Sequence, residues 1–341
     1  MKYKFLNDYS EGGHPRILEN LLRSNLSQQA GYGNDELSQR AAAKIRKACK
    51  QEDAGVHFVA GGTLANLLVI SAFLKPYESV ISAETGHINT HEAGAIEATG
   101  HKIEYIKTQD GKLTVTDISR MLMKFPKYHT VKPRMVYISN STELGTVYTR
   151  AELEDIYRYC SKNDLLVYID GARLPMALVA SGMTLAELSR FCDVFYIGGT
   201  KCGALLGEAV VIPDAVLHTD FAYNVKQRGA LLAKGRVLGG QFDTLFTDNL
   251  IFQLAAHANA MAAKMAAAFT ALEYPFSTPP DSNQLFPVMS HARIRKLAQK
   301  YEFFEWEELT DDHSVIRLVT SWATEEKVVD KFIADLKRIS K

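Results

Sequence analysis

Leu165-Leu-Val-Tyr-Ile-Asp-Gly-Ala-Arg173 decides how this chain is read. An uninterrupted apolar run ends on a carboxylate, a glycine and a guanidinium. Such a run marks a strand covered on both faces, as in a parallel sheet. A carboxylate at the carboxyl end of that strand lies where open α/β sheets bind ligands. Buried there it needs a cationic partner; otherwise it only caps the next turn. Similar runs flank it: Val56–Ala60, Ser79–Ala83, Ile103–Lys107, Arg134–Ser139, Val194–Ile197 and Ala209–Pro213. The last is expected antiparallel to its neighbour across the tight Gly203–Gly207 connection.

Amphipathic stretches alternate with these strands. Glu36–Gln51, capped by Asp35, reads as a helix through Leu37, Ala41, Ile45 and Ala48. Leu64–Leu74, Ile118–Phe125 and Arg150–Lys162 follow, then a long Ala-rich helix from Asp248 to Glu273. Beyond the Pro- and Ser-rich Tyr274–Ser282 the pattern changes. Asn283–Met289, Phe303–Glu307 and Val315–Trp322 read as strands, with helices over Ala292–Tyr301 and Glu325–Ile339. The expected class is α/β, a large domain with a mostly parallel seven-stranded sheet and a small C-terminal α+β domain. The expected boundaries are an irregular N-terminal arm over 1–35, the large domain over 36–275, and the small domain over 276–341 with part of the arm.

Composition narrows the function. The 341 residues carry 39 basic and 39 acidic side chains, a formal net charge of zero, with no basic block for nucleic acid. No apolar run reaches the ~20 residues of a membrane span. The first residues, Met1-Lys-Tyr-Lys-Phe-Leu-Asn-Asp8, are too short in apolar content for a signal peptide, so a cytoplasmic protein is expected. Cys49, Cys160, Cys192 and Cys202 form no C-x-x-C pair and read as reduced thiols. His87 and His91 are four apart, but no third ligand is evident nearby, so no metal is expected.

Three segments carry chemistry together. Ala60-Gly-Gly-Thr-Leu-Ala-Asn66 follows a strand and opens a helix, where amides and the helix dipole favour an anion; a plain tight turn also wants those glycines. Asp170-Gly-Ala-Arg173 ends its strand, and Ile197-Gly-Gly-Thr-Lys-Cys-Gly203 places Lys201 on a turn after another. A lysine desolvated beside cations becomes a carbonyl nucleophile, whereas a surface lysine does nothing of the kind. An anion cradle, a carboxylate and a lysine in this order are the three groups a pyridoxal phosphate site requires.

With Gly62-Thr63, His87, Asp170-Gly-Ala-Arg173, Lys201 and Arg317-Leu-Val-Thr320, the chain resembles the low-specificity L-threonine aldolases. These belong to the β-eliminating lyase group of fold-type I pyridoxal-phosphate enzymes. The resemblance runs from Asn7-Asp8 to Trp322. It implies Lys201 as the Schiff-base lysine, Asp170 at the pyridine nitrogen, Gly62 and Thr63 at the phosphate, and His87 stacked on the ring. Arg173 and Arg317 would clamp the substrate carboxylate, which a guanidinium fork meets bidentately. Tyr32-Gly-Asn-Asp35 matches a segment that in the family serves a neighbouring subunit, implying a homodimer or homotetramer with interface active sites.

Three departures accompany the resemblance. Asn7-Asp8 stands where the family reads Ser-Asp, keeping Asn7 as a substrate-binding candidate. Ser139-Asn-Ser-Thr142 replaces Glu-Asn-Thr-His, so Thr142, followed by Glu143, occupies the place of a histidine beside the substrate hydroxyl. Arg236-Val-Leu-Gly-Gly-Gln-Phe242 replaces a glycine-rich phosphate segment, with Arg236 the expected phosphate contact and Lys226 and Arg228 as the alternatives. The reaction implied is Cα–Cβ cleavage of a β-hydroxy-α-amino acid, threonine or allo-threonine to glycine and acetaldehyde. His87, Thr142 or Glu143 would hold the water that takes the hydroxyl proton. β-Elimination or transamination on the same cofactor is the alternative, and a non-catalytic binding protein on this fold a third.

Overall fold

A computed structural model describes residues 2–125 and 128–340. Met1 and Lys341, the ends of the expected arm and small domain, lie outside them. The central sheet has seven strands in the order Gly55–Val59, Glu208–Ile212, Val194–Gly198, Leu166–Asp170, Lys132–Ser139, Glu78–Ala83 and Ile103–Ile106. Glu208–Ile212 is antiparallel to both neighbours and every other pairing is parallel. Side chains alternate between the two faces. Ile81, Val136, Val167, Ile169 and Val211 enter one apolar cluster, and Val80, Met135, Tyr137, Tyr168 and Tyr196 the other.

The short strands are apolar because both faces are covered by helices. Glu36–Cys49 starts where Asp35 accepts the amide of Ser38, and Arg150–Lys162 starts with a capping box between Thr149 and Glu152. Beyond the sheet, Val288–Ser290 and Phe304–Thr310 pair antiparallel with His313–Val319. A third apolar cluster there joins Phe5, Met265, Phe269, Ile316 and Phe332. The 22-residue helix Leu250–Ala271 feeds the sheet cluster from its first half and the third cluster from its second.

Several expectations need correction. The arm is not irregular throughout: Pro15–Ser24 is a helix, with Pro15 in its first turn and the His14 ring accepting the amide of Arg16. Tyr3–Lys4 also pairs, with Tyr301–Glu302. Asn283–Met289 is not one strand but two short pieces, Gln284–Leu285 and Val288–Ser290, interrupted at Pro287, which has no amide hydrogen to donate. Arg236–Leu245 is a helix rather than a phosphate loop; Gly239 lets it lie against Ser38, which any Cβ would strike.

Candidate active site

The carboxyl ends of the central strands open into a cavity of about 420 Å³, lined by Gly61, Gly62, Thr63, His87, Asp170 and Lys201 among others. The Asp-Gly-Ala-Arg turn builds its floor. Gly171 is obligatory, because a Cβ there would overlap the carbonyl of Tyr196. Period-two alternation puts Asp170 on the same face as Tyr168, beside Tyr137 and Tyr196 from adjacent strands.

Four donors hold the Asp170 carboxylate. The Tyr137 hydroxyl (2.6 Å) and the Asn66 amide (3.0 Å) donate to Oδ2; the Tyr196 hydroxyl and the Ala172 amide (3.0 Å) donate to Oδ1. No cation pairs with it among the described residues, so the cationic partner expected from the sequence is replaced here by neutral donors. The three tyrosines are buried, and burial, followed by the charge of Asp170, pushes their hydroxyls well above the usual phenol range. They remain neutral donors.

Lys201 sits on the turn Thr200–Cys202 after Val194–Gly198. Burial, then the neighbouring charge of Arg173, lowers its pKa against the opposing pull of Asp8, Asp170 and Glu208. Its amine is thereby brought toward the neutral, nucleophilic form. The turn is fastened by Glu208, whose carboxylate accepts the amide of Gly199 (3.0 Å) and the hydroxyl of Thr200 (2.9 Å).

The two arginines differ in state. Arg173 is already gripped by Asp8, its Nε and one terminal nitrogen donating at 2.7 and 3.0 Å. Burial would raise the Asp8 carboxyl, but Arg173, Lys201 and hydrogen bonds from Arg173 and Asn283 hold it down to about 2. Arg317 has no carboxylate within ion-pair distance among the described residues. One terminal nitrogen donates to Gln284 (2.8 Å), the guanidinium lies 5.3 Å from the Trp306 ring centre, and its buried Nε has no partner. Burial, then Arg173, lowers it to about 10. A half-satisfied guanidinium facing the cavity is built to receive an anion.

His87 opens the short helix His87–Thr90. Its amide donates to Glu143 (2.8 Å), whose same oxygen takes the Ser139 hydroxyl. Burial, then Asp170, raises the Glu143 carboxyl. Both side chains line the cavity.

Four expected residues lie elsewhere in this chain. Thr142 is buried beneath the rim: its hydroxyl is shared with Thr146 (2.7 Å), so the side chain closes a turn instead of facing the cavity. The Asn7 carboxamide accepts the Tyr9 amide and the Ser10 hydroxyl, both at 3.0 Å, and stays in its own turn. Arg236 caps the carboxyl end of Pro15–Ser24 by donating to the carbonyls of Ser24, Asn25 and Ser27, the carbonyl-rich end that suits a cation. Tyr32 is exposed and covers the Lys226 ammonium at 4.6 Å. His91 stacks on His87 at 5.6 Å, and no cluster of metal ligands exists among the described residues. Sequence reasoning missed Tyr9, Glu92, Glu208, Gln284 and Trp306. Glu208, an acid opening an otherwise apolar strand, carried a signal; the others had none.

The cavity fits pyridoxal phosphate. The helix Gly62–Phe73 starts without a side-chain cap, so its first amides are free toward the cavity wall formed by Gly61, Gly62 and Thr63. A Cβ on Gly62 would stand 2.9 Å from the Tyr196 hydroxyl and fill that cradle. Lys201 and Asp170 line the same space. These residues can hold a phosphate, a carbonyl carbon and a ring nitrogen respectively.

Residues 5–292 match the family model described as beta-eliminating lyase. A low specificity L-threonine aldolase of Pseudomonas sp. is 35% identical, the alignment spanning 98% of this chain and 97% of that one. A solved structure of Leishmania major threonine aldolase is 47% identical, with a TM-score of 0.97 over 99% of this chain and all of that one. An aspartate aminotransferase of Thermus thermophilus shares the fold at 14% identity and a TM-score of 0.74, over 99% of this chain and 91% of that one.

Proposed function

The chain belongs to the β-eliminating lyase family, and from that premise we propose that it is a pyridoxal-phosphate-dependent aldehyde-lyase. It cleaves the Cα–Cβ bond of a β-hydroxy-α-amino acid, with L-threonine or L-allo-threonine giving glycine and acetaldehyde. One observation carries the reading: Lys201, Asp170 and the unpaired Arg317 converge on one cavity in a chain whose full-length relatives are threonine aldolases.

Lys201 would hold the cofactor, Asp170 would meet its ring nitrogen, and Gly62, Thr63 and the first helix amides would take its phosphate. Bound pyridoxal phosphate supplies the electron sink for the pair left on Cα. Arg317 takes the substrate carboxylate. Arg173, neutralised by Asp8, adds less charge and more rigidity. The proton of the β-hydroxyl leaves through a water held between His87 and Glu143, whose raised carboxyl pKa brings it closer to neutral, as a general base requires. Partial burial of Lys201 lowers the effective dielectric around it and strengthens these electrostatic contacts.

Visible absorbance before and after L-threonine, with acetaldehyde assayed in the same cuvette, tests the reading. A cofactor band that shifts while acetaldehyde appears is the expected result. Pyruvate with ammonia would replace it by β-elimination. Lys201→Ala should remove the lysine-dependent band and the activity; a yellow, active variant would sink the site. Among the described residues no helix is long and apolar enough to cross a membrane. We place the enzyme in the cytoplasm, as a homodimer or homotetramer with interface active sites. Tyr32 is exposed and outside the lining of its own cavity, which supports service to a second copy's site.

A further inference from the structure

Glu92 lies behind His87 with its side chain wholly inaccessible to solvent. One oxygen, Oε1, receives the His87 Nδ1 at 2.8 Å and the Asn66 amide at 2.6 Å. The other, Oε2, is buried without a partner. The same Asn66 nitrogen donates to Asp170 Oδ2 at 3.0 Å, and the Asn66 carbonyl accepts the Tyr168 hydroxyl at 2.7 Å. Every polar atom of Asn66 is therefore committed, and its amide stands between two buried carboxylates.

We infer that Glu92 is a positioning residue for His87: it holds the imidazole with Nδ1–H turned into the wall, leaves Nε2 as the ring nitrogen presented to the cavity, and ties that ring to Asp170 through Asn66. Oε1 already accepts from the Asn66 amide, so the hydrogen shared with His87 is assigned to Nδ1, and the tautomer follows. The half-satisfied carboxylate is costly to bury, and a protonated His87 imidazole would offset that cost. The groups that face this pair are Asp170, Glu143, Lys201 and His91 around the imidazole, and Tyr137 and Tyr168 around Glu92. Burial alone would lower the imidazole. The Glu92 hydrogen bond and the charges of Asp170 and Glu92 outweigh burial and Lys201, so it is raised. Glu92 thus supplies to His87 what a carboxylate supplies to a catalytic histidine generally: orientation and a stabilised cation.

The inference rests on the aldolase reading only for why His87 matters, and the test separates the two. ¹⁵N-histidine spectra of the loaded enzyme, with His87 assigned by its loss in His87→Phe, report tautomer and titration midpoint independently of any reaction. Above the midpoint, wild-type His87 should be the Nδ1–H tautomer; an Nε2–H tautomer overturns the inference without any variant. Glu92→Gln keeps the shape and removes the charge. It should lower the His87 midpoint by about one pH unit or more, the scale of a single close charge partner; an unchanged midpoint also overturns the inference. Glu92→Asp should restore most of the shift. In turnover, Glu92→Gln should cost activity in the wild type and nothing further in the His87→Phe background, because its effect passes through that ring. Equal losses in both backgrounds would make Glu92 merely structural. Failure to release acetaldehyde from threonine would sink the aldolase reading and leave the spectral result standing.

Discussion

Replacing Arg317 with Met should make the protein more stable and nearly useless. The guanidinium is buried without a carboxylate, and its pKa is lowered from the ordinary 12.5 to about 10. At 1.36 kcal/mol per unit, that is about 3 kcal/mol of penalty on the charged form at neutral pH. Removing an uncompensated buried charge in favour of an apolar side chain of similar reach recovers part of it. Met would also pack on the face of Trp306 that the guanidinium now covers. With an unfolding entropy of ~2.1 cal/mol/K per residue, about 0.7 kcal/mol/K here, full recovery would raise the melting temperature by about 4 °C. The opposite sign is expected in catalysis. Losing about 3 kcal/mol of charged hydrogen bonding to the substrate carboxylate should cost roughly two powers of ten in kcat/KM. Calorimetry of the unsubstituted and variant enzymes, with and without glycine, checks both halves: glycine should raise the melting temperature of the first only. A variant that melts lower, keeps its kcat/KM and still responds to glycine would refute the reasoning and make Arg317 a structural partner of Gln284 and Trp306.

Other outcomes follow from the same cavity. Asp8→Asn leaves Arg173 buried and unpaired and should destabilise the protein by about 3–5 kcal/mol at neutral pH. Because the Asp8 pKa is depressed to about 2, its stabilisation is present above the ordinary carboxylate value of 3.8 and lost as pH falls through about 2, so melts of the two proteins should draw together below pH 4 and converge only below about pH 2. Burial, against the opposing Thr200 bond and Lys201, holds the Glu208 carboxyl up at about 8. Its stabilisation is present below the ordinary value of 4.5 and lost as pH rises through 8. Glu208→Gln should therefore gain in melting temperature relative to the parent between pH 5 and pH 9; a difference independent of pH would contradict this. Gly62→Ala should weaken cofactor retention about tenfold or more in equilibrium dialysis, about 1.4 kcal/mol, with circular dichroism unchanged. Undiminished retention would mean that the cradle yields.

The sheet was legible because its strands are apolar on both faces, a pattern no amphipathic helix shares. Arg150–Lys162 was legible because Leu153, Ile156, Tyr157 and Cys160 recur at the helical period, and the structure adds a box between Thr149 and Glu152 at its start. Helix Pro15–Ser24 was missed although Pro15 and Ile17 were in view, because glycine and serine around it read as coil. Lys201 and Asp170 could be picked out because each follows a strand. The state of the two arginines could not: Arg173 is occupied by a carboxylate 165 positions away, and Arg317, held by Gln284, meets no carboxylate among the described residues. Thr142 shows the limit of position alone, since its backbone occupies the expected turn while its hydroxyl bonds to Thr146. Glu92 gave no signal because the link through Asn66 that joins it to Asp170 spans segments 26 and 104 positions apart in the chain.

Residues 3–8 find their partners among residues 283–319. Tyr3 pairs with Tyr301, the Val319 amide donates to the Phe5 carbonyl, and Asn283 donates to Asp8. During synthesis at ~5–20 residues per second, the amino terminus therefore waits roughly 15–60 s before its strand partner has been made. Through that interval Arg173 has no Asp8 held against it, and Arg317 has not been translated. The Asp-Gly-Ala-Arg turn and the lysine turn emerge from the ribosome long before the segments that dry and charge their surroundings. Activity therefore cannot begin on a nascent chain. A message truncated before the codon for Arg317 would yield a protein with all seven strands of the central sheet and Lys201, but without the guanidinium that takes the substrate carboxylate.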